Sequence, residues 1–549
     1  MRNTDLKVLI AQINPIVGDI EFNTNKIIEV IKGNQNCDII IFPEMALVGY
    51  PIMDHIHDPL IRKKNVDAIE KIKELKTEAT IILGTFTESK KLEGFIHPFY
   101  NSAIVIENNC IKSCVNKRLL PNYDVFDERR YFSFDDNYDP VEIKGYMVGI
   151  LICEDIWDQH YEIKIAKKLV AHGAELLIVI NASPYHINKF KLRSDLIKGK
   201  SKALSVPIVY VNMVGGLDEI VYDGQSFITN KFGQIIFKSK SFTEDICLFE
   251  IPMRNVSLIE EKEYQSDWRE DVINALKLNL YDYFCKSSIF EGAVLGLSGG
   301  IDSAFTAYIC TEALGPEKVT AVMMPTRFTS KDSIDLARKL CENLNLKYII
   351  HPIDEIFTIF EKNLEENLGK QPFDIADENL QARIRANILM YYSNKYNWLL
   401  VSTGNKSEIG VGFCTLYGDT CGGKNVPGDL LKVQIYEICK WINNEEEIIP
   451  KEIIERPPTA ELRENQKDSD SIPSYEILDV ILEEIFENGI GTELYNLKDK
   501  GFDNDIINKV RRLYLNSEYK RRQLVQTIKV SESAFGIGRR YPVLKKIKF

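Results

Sequence analysis

The sequence predicts an α/β protein built as two successive units, the second of them on a mostly parallel sheet. Three observations carry that expectation. Short β-branched runs alternate with helix-length stretches, many of those runs are apolar at nearly every position, and a charged stretch from Arg254 to Glu270 interrupts the alternation near the middle. A strand covered by packing on both faces has no solvated side, so it reads as a continuous apolar run rather than an alternating one. At 549 residues the chain exceeds what one ordinary core holds.

In the first unit the strand candidates are Val8–Gln12, Asp38–Phe42, Thr80–Thr85, Ser102–Ile106, Met147–Ile152, Leu176–Asn181 and Pro207–Asn212. Ile228–Phe237, with Lys231-Phe232-Gly233-Gln234 at its middle, predicts a hairpin. The charged stretch reads as a linker into an amphipathic helix marked by Val272, Leu276 and Leu280. Beyond it Val294–Leu297, Val319–Met323, Tyr348–Ile350 and Trp398–Val401 alternate with helical segments, which predicts a doubly wound parallel sheet. From Ile472 the chain is rich in helix formers and basic near its end, and no internal repeat or low-complexity tract is present.

Bulk properties exclude several classes. Apolar residues at 45% and charged residues at 27% are those of a globular protein, and a formal net charge of −12 argues against a nucleic-acid-binding surface. The chain enters a strand-like run at Lys7 without the order of a signal peptide, and no apolar run approaches the ~20 residues of a membrane span. Eleven cysteines, an odd number with no CxxC pair, suggest neither a disulfide scaffold nor a zinc site. The seven histidines make no HxxxH pattern, and His55-x-His57 reads as a solvated loop pair. A reducing, cytoplasmic setting is expected, with neither nucleic acid nor membrane as partner.

The most informative stretch is Ser298-Gly299-Gly300-Ile301-Asp302-Ser303, which joins the apolar run Ala293–Leu297 to a predicted helix, Ala304–Leu314, ending at Gly315-Pro316. Glycines and serines at such a junction leave backbone N–H groups free to converge on an anion at a helix N-terminus. No Lys follows the glycines. Asp302 instead supplies a negative charge, which suits a Mg²⁺ ion bridging to phosphate. The alternative is an ordinary strand-to-helix turn.

Three titratable residues in the first half also sit where strand-like runs end: Glu44 after Ile39–Pro43, Lys117 before Leu119-Leu120-Pro121, and Cys153 after Val148–Ile152. A carboxylate can serve as base for a thiol nucleophile, and a lysine can stabilise an oxyanion. Singly they read as a cap, a solvated turn and a small core side chain. As a set, Phe42-Pro43-Glu44, Lys117-x-x-Leu120-Pro121-x-Tyr123-x-x-Phe126-x-Glu128-Arg129-Arg130 and Ile152-Cys153-Glu154-Asp155-x-Trp157 resemble the nitrilase superfamily. The resemblance covers residues 5 to 250. It implies an αββα sandwich that hydrolyses an amide through a thioester, with Glu44 as base, Lys117 as oxyanion stabiliser and Cys153 as nucleophile. By the same resemblance Tyr123, Ser183 and Lys189 are the glutamine contacts, and Asp223-Gly224-x-Ser226 fits the pattern. Met213 stands where relatives commonly carry Gln, and it is left out of the site.

The glycine loop resembles the pyrophosphate-binding loop of the N-type ATP pyrophosphatases. Further segments carry the likeness on: Glu378–Arg385 with its two arginines, Leu400–Glu408, Thr415–Asp419, Arg456–Arg463, Glu518–Gln523 and Ala534-Phe535-Gly536. Together with the nitrilase-like half they resemble the glutamine-dependent NAD synthetase family. That resemblance implies a glutaminase domain at 1–260 and a synthetase domain, of adenine nucleotide alpha hydrolase type, at 261–549. Gly296, Leu297, Ser298, Gly299, Gly300, Ile301, Asp302, Ser303 and Thr403 would hold ATP. Asn379, Glu408 and Lys520 would contact deamido-NAD, and Asp302 and Glu408 would ligate Mg²⁺. It also implies a homo-oligomer. One departure is Gly422–Asp429, where relatives usually have a longer apolar stretch. Two other readings remain open: a synthetase amidating another acid, and a nucleotide-binding scaffold with a decayed site.

Overall fold

The computed structural model describes residues 5–88, 98–254, 257–258, 264, 266–490, 497 and 501–547. Two compact units divide the chain, Met1–Gly215 with Val221–Ser266, and Gly216–Ile220 with Asp267–Phe549. The division thus falls after Ser266, and a five-residue excursion near position 218 counts with the second unit. Much of the expected linker, residues 255–256, 259–263 and 265, lies outside the described residues.

In chain order the strands up to Pro252 are β1 (Asp5–Gln12), β2 (Ile39–Ile41), β3 (Thr80–Glu88), β4 (Phe99–Glu107), β5 (Cys110–Asn116), β6 (Val141–Ile143), β7 (Tyr146–Ile152), β8 (Leu176–Asn181), β9 (Ile208–Asn212), β10 (Val214–Leu217), β11 (Ile220–Asp223), β12 (Phe227–Thr229), β13 (Ile235–Lys238) and β14 (Asp245–Pro252). They form two six-stranded sheets, β14-β1-β2-β3-β4-β5 and β13-β12-β9-β8-β7-β6, and a small β10–β11 pair. Each large sheet has a parallel centre, β1-β2-β3 in one and β7-β8-β9 in the other, edged by antiparallel strands.

Side-chain alternation explains the near-continuous apolar runs. On β8, Leu176, Ile178 and Ile180 face a core shared with Val8 and Ile10 of β1 and Ile39 and Ile41 of β2, which lies between the sheets. The alternate residues Leu177 and Val179 join a second core with Ile165 and Leu169 of helix Ile165–Ala171 and Ile197 of helix Lys189–Leu204. Every position of β8 is therefore buried, as the doubly covered strand of an αββα sandwich must be. The predicted hairpin is the antiparallel pair β12–β13. His55 and His57 are both exposed, as expected of a solvated pair, though they lie in the short helix Met53–His57 and the His57 ring packs 5.7 Å from that of Phe99.

In the second unit a five-stranded sheet has the order β17-β16-β15-β18-β19, and every neighbouring pair is parallel. Its strands are β15 (Gly292–Gly296), β16 (Val319–Met323), β17 (Lys347–Ile350), β18 (Trp398–Ser402) and β19 (Lys424–Asn425). The helix after the charged stretch, Trp268–Ser287, buries Val272, Leu276 and Leu280 fully, and an Asp267 side chain caps its start. Helices Ile301–Leu314, Lys331–Asn343, Asp354–Leu368 and Ile375–Tyr396 connect the strands. Tyr475–Asn488 and Asn504–Asn516 build a separate apolar cluster around Leu478, Leu482 and Val510.

Candidate active sites

Cys153 begins directly where β7 ends, at φ +43°, a left-handed conformation that costs a non-glycine residue about 1–3 kcal/mol. The turn is held by Asp155. Its Oδ2 accepts from Ile152 N at 3.1 Å, and its Oδ1 accepts from Arg118 N and Leu119 N at 2.9 Å each. One buried carboxylate thus fixes the cysteine turn to the segment that carries Lys117.

Glu44 and Lys117 reach the same place from β2 and β5. Lys117 Nζ donates to Glu44 Oε1 at 2.8 Å and to Glu128 Oε1 at 2.7 Å. Glu44 also accepts from Asn101 Nδ2 at 2.7 Å and from Ala182 N at 2.8 Å, so its orientation is fixed by three donors. Gly84 permits this packing, because a Cβ there would lie 2.2 Å from Pro43 O. Burial opposes the Lys117 charge, but Glu128 and Glu44 outweigh it and hold the ammonium protonated. Burial and the Glu44 charge push the Cys153 thiol well above its ordinary range, so it rests as a neutral thiol and needs a base at the moment of attack.

Ser183 and Asn181 lie at the carboxyl end of β8, where Ser183 N donates to Asn212 Oδ1 at 2.9 Å. Lys189 Nζ sits 4.6 Å above the Trp157 ring, four residues beyond Cys153. Tyr123 OH donates to Glu154 Oε2 at 2.9 Å, and Tyr161 OH donates to the other oxygen at 3.0 Å. Tyr123, Ser183 and Lys189 therefore border the elements that carry the cysteine. Asp223 and Ser226 act as framework: Asp223 takes both Arg193 nitrogens at 2.9 and 2.7 Å, and Ser226 Oγ donates to Gln12 Oε1. Glu128 and Glu154, which lie within the Lys117 and Cys153 motifs, each hold a buried polar position beside the triad. Glu128 is the second carboxylate on Lys117, itself bonded by Tyr50 OH at 2.8 Å, while Glu154 is a buried acceptor beside the nucleophile.

In the second unit the glycine loop lies between β15 and helix Ile301–Leu314. Gly299 takes φ +79°, and a Cβ on it would stand 2.3 Å from Ser333 O. Ser298 Oγ accepts from Gly300 N at 3.1 Å and Ser303 Oγ donates to Gly300 O at 2.9 Å, which holds the loop open-ended toward the helix N-terminus. Two adjoining clefts share Ser298 and Thr403. One is walled by apolar groups such as Met324, Ile334, Ala337 and Leu389, and the other by Gly300, Asp302, Ser303, Glu408 and Lys432. Gly296 and Leu297 line the first and Ile301 the second, whereas Gly299 lines neither and is packed beneath the loop. Gly299→Ala is therefore expected to lower ATP-dependent activity at least tenfold by displacing the loop, roughly the effect of a strained backbone. Steady-state assays at saturating ammonium check it.

The arginines of helix Ile375–Tyr396 are not a solvated face. Arg385 lines the apolar cleft and donates to Met324 O, and burial lowers its guanidinium to about 10. Arg383 donates to Leu416 O at 3.1 Å. Of the residues matched to the dinucleotide, Glu408 lines the polar cleft. Asn379 and Lys520 line neither cleft but grip one loop: Thr415 Oγ1 donates to Asn379 Oδ1 at 2.6 Å, and Lys520 Nζ donates to the Gly412 and Cys414 carbonyls. The divergent Gly422–Asp429 segment also stays out of both clefts, and its Asn425 supports Gly404 O from below.

Among the described residues no cluster of three or more His, Cys, Asp or Glu side chains could hold a metal. Asp302 and Glu408 nevertheless converge on one cation, Lys432 Nζ, which bonds Asp302 and lies 3.4 Å from Glu408. Burial raises the Glu408 carboxyl, with Asp302 and Asp468 adding to the rise against Lys432. Both are hard oxygen donors in the first turns of two helices, the donor type of a water-rich Mg²⁺ site, and Lys432 occupies the space a cation would take between them. Lys432 and Arg456 had no role in the sequence reading. Their positions become legible only once the loops around Asp302 fold together.

Residues 7–260 match the carbon–nitrogen hydrolase family and residues 272–524 the NAD synthase family. Glutamine-dependent NAD(+) synthetase from Acinetobacter baylyi is 39% identical over 98% of both chains, and that from Thermotoga maritima is 38% identical over 99% of both. The solved Acinetobacter baumannii glutamine-dependent NAD+ synthetase, in complex with adenosine diphosphate, aligns at 37% identity with a TM-score of 0.77 over 98% of each chain. With two independent half-chain matches, full-length identity and two separately built sites, the chain belongs to the glutamine-dependent NAD(+) synthetase family.

Proposed function

We propose that the two sites divide the family's amidation as follows. Glu44 takes the thiol proton as Cys153 Sγ attacks the carboxamide carbon of glutamine, and Lys117 stabilises the oxyanion of the tetrahedral intermediate. The C–N bond breaks, Glu44 returns the proton to the departing ammonia, and water then hydrolyses the thioester to glutamate. In the second unit a nicotinate carboxylate oxygen of deamido-NAD attacks the α-phosphorus of ATP and pyrophosphate leaves. Ammonia attacks the resulting acyl adenylate, and AMP departs to give NAD. The single observation that carries this reading is Lys117 bonded to Glu44 in the same buried site as a neutral Cys153 thiol.

The apolar cleft suits adenosine, and the Ser298–Ser303 loop with Lys432 and Arg456 beside it suits the phosphates. Mg²⁺ held by Asp302 and Glu408 would neutralise charge on the departing pyrophosphate. Asn379 and Lys520 bear on deamido-NAD in this reading through the loop they hold, residues 412–415, rather than by lining a cleft. For glutamine, the buried Glu154 carboxylate complements an α-ammonium, and Lys189 with Ser183 complements an α-carboxylate. Ser183→Ala and Lys189→Ala are accordingly expected to raise the KM for glutamine about tenfold each, the effect of one charge-assisted hydrogen bond, and to leave ammonium-fed synthesis unchanged.

The described helices include none long and apolar enough to cross a membrane, and eleven free cysteines support a cytoplasmic enzyme. Ile359, Leu368, Ile375 and Tyr391 are each more than 60% exposed on helices Asp354–Leu368 and Ile375–Tyr396, exposed apolar side chains that support self-association. Light scattering on the purified protein checks it. The test of the whole reading is pyrophosphate release on mixing ATP, Mg²⁺, glutamine and deamido-NAD. Release that requires ATP, Mg²⁺ and deamido-NAD, and that continues beyond the first turnover only with glutamine or ammonium, supports it; release without deamido-NAD, or none at all, overturns it.

A further inference from the structure

Residues 456–467 form a strap without helix or strand, running between helix Lys451–Glu455 and the turn Asp468–Asp470. The strap borders both clefts of the second unit: Glu461 and Leu462 wall the apolar one, and Arg456 and Thr459 the polar one. A segment without a hydrogen-bond ladder depends largely on side-chain bonds for its position. Its first half is fixed beside the glycine loop: Arg456 donates to Gly299 O and, at the start of helix Lys331–Asn343, Arg456 Nη1 donates to Ser333 Oγ at 2.9 Å and Glu461 Oε1 accepts from Ser330 Oγ and Ser333 Oγ at 2.8 Å each.

Its second half is anchored on helix Ile375–Tyr396. Arg463 Nη1 donates to Glu378 Oε1 at 3.0 Å, Gln466 Nε2 donates to Glu378 Oε2 at 3.4 Å, and Gln381 Nε2 donates to Leu462 O at 2.8 Å. Glu378 is only 6% exposed, while the Arg463 side chain remains 40% exposed. A carboxylate so nearly buried is costly unless its oxygens are used. Both oxygens of Glu378 engage the strap. The next residue, Asn379, holds Thr415, and Arg385 on the same helix lines the apolar cleft.

We propose that Glu378 is a positioning residue for the nucleotide: its carboxylate seats the strap along both clefts, and the helix that carries it links that seating to the loop held by Asn379, so ATP and the dinucleotide strengthen each other's binding. The proposal rests on the cleft assignment above. Wild-type protein that releases no pyrophosphate would defeat that assignment, whereas the variants below bear on Glu378 alone.

The test uses the full-length chain fed with ammonium and compares Glu378→Gln, Arg463→Met and the double variant. Each single change should raise the KM for ATP about tenfold with kcat altered less than threefold, and the double should be no worse than either, as for two members of one contact. In the wild type the KM for deamido-NAD should fall as ATP rises, and this dependence should vanish in the variants. Glutamine hydrolysis without ATP should not change. An unaltered KM for ATP, or single effects that multiply in the double, would overturn the proposal. If Glu378→Gln does not fold by circular dichroism, Arg463→Met at its more exposed position carries the same comparison, and an unchanged KM there overturns it equally.

Discussion

Cys153→Ala should eliminate glutamine-fed NAD formation, by about 10⁴-fold or more, while ammonium-fed formation stays within about twofold of wild type. The expectation follows from how completely the first site depends on one sulfur. Glu44 is held by Lys117, Asn101 and Ala182 whether or not the thiol is present, so the truncation should leave its surroundings standing. What disappears is the only group there able to carry an acyl intermediate, and an alanine fits where a buried cysteine sat with a left-handed penalty that both residues share. Parallel assays with glutamine and with ammonium chloride decide it. Loss of both activities in a folded protein would contradict the division of labour between the sites.

Asp302→Ala should do the converse, lowering pyrophosphate release about 10²–10³-fold while ATP-free glutamine hydrolysis persists. Asp302 lies in the first turn of its helix, bonds Lys432, and accepts from Asn405 Nδ2 at 3.1 Å. Its removal leaves Lys432 with Glu408 alone and takes away one of the two carboxylates offered to Mg²⁺. Asp302→Asn keeps the shape and should fail nearly as severely if charge is what matters. Pyrophosphate release by either variant at the wild-type rate would sink the metal assignment. A Mg²⁺ titration adds a second reading, because the wild type should show a saturable requirement that Asp302→Asn shifts to higher concentration.

How much of this was legible in the chain depends on whether a feature is local. The doubly covered strands announced themselves, since a run such as Leu176–Asn181 has no solvated side to interrupt it. Edge strands did not: β14 alternates exposed and half-buried residues, and its pairing with β1 joins positions more than two hundred residues apart. The excursion at Gly216–Ile220 was likewise invisible, because a reading in chain order cannot assign a few residues to a unit that begins fifty positions later. Among site residues, Glu44, Lys117, Cys153 and Asp302 sit at strand or helix ends within distinctive motifs. Lys432, Arg456, Glu378 and Glu128 take their meaning from partners distant in sequence. A lysine after Asp429-Leu430-Leu431 is unremarkable until Asp302 and Glu408 are brought to it.

The bond from Lys117 to Glu44 spans 73 positions, and Asp155 reaches back 36 to hold Leu119 N. Contacts of such long range form slowly, because loop closure must precede any return from them. The amidase centre therefore exists only where both sheets have met. A chain still emerging from the ribosome, or one partly unfolded by heat, carries Cys153 as an ordinary thiol and leaves cellular glutamine untouched.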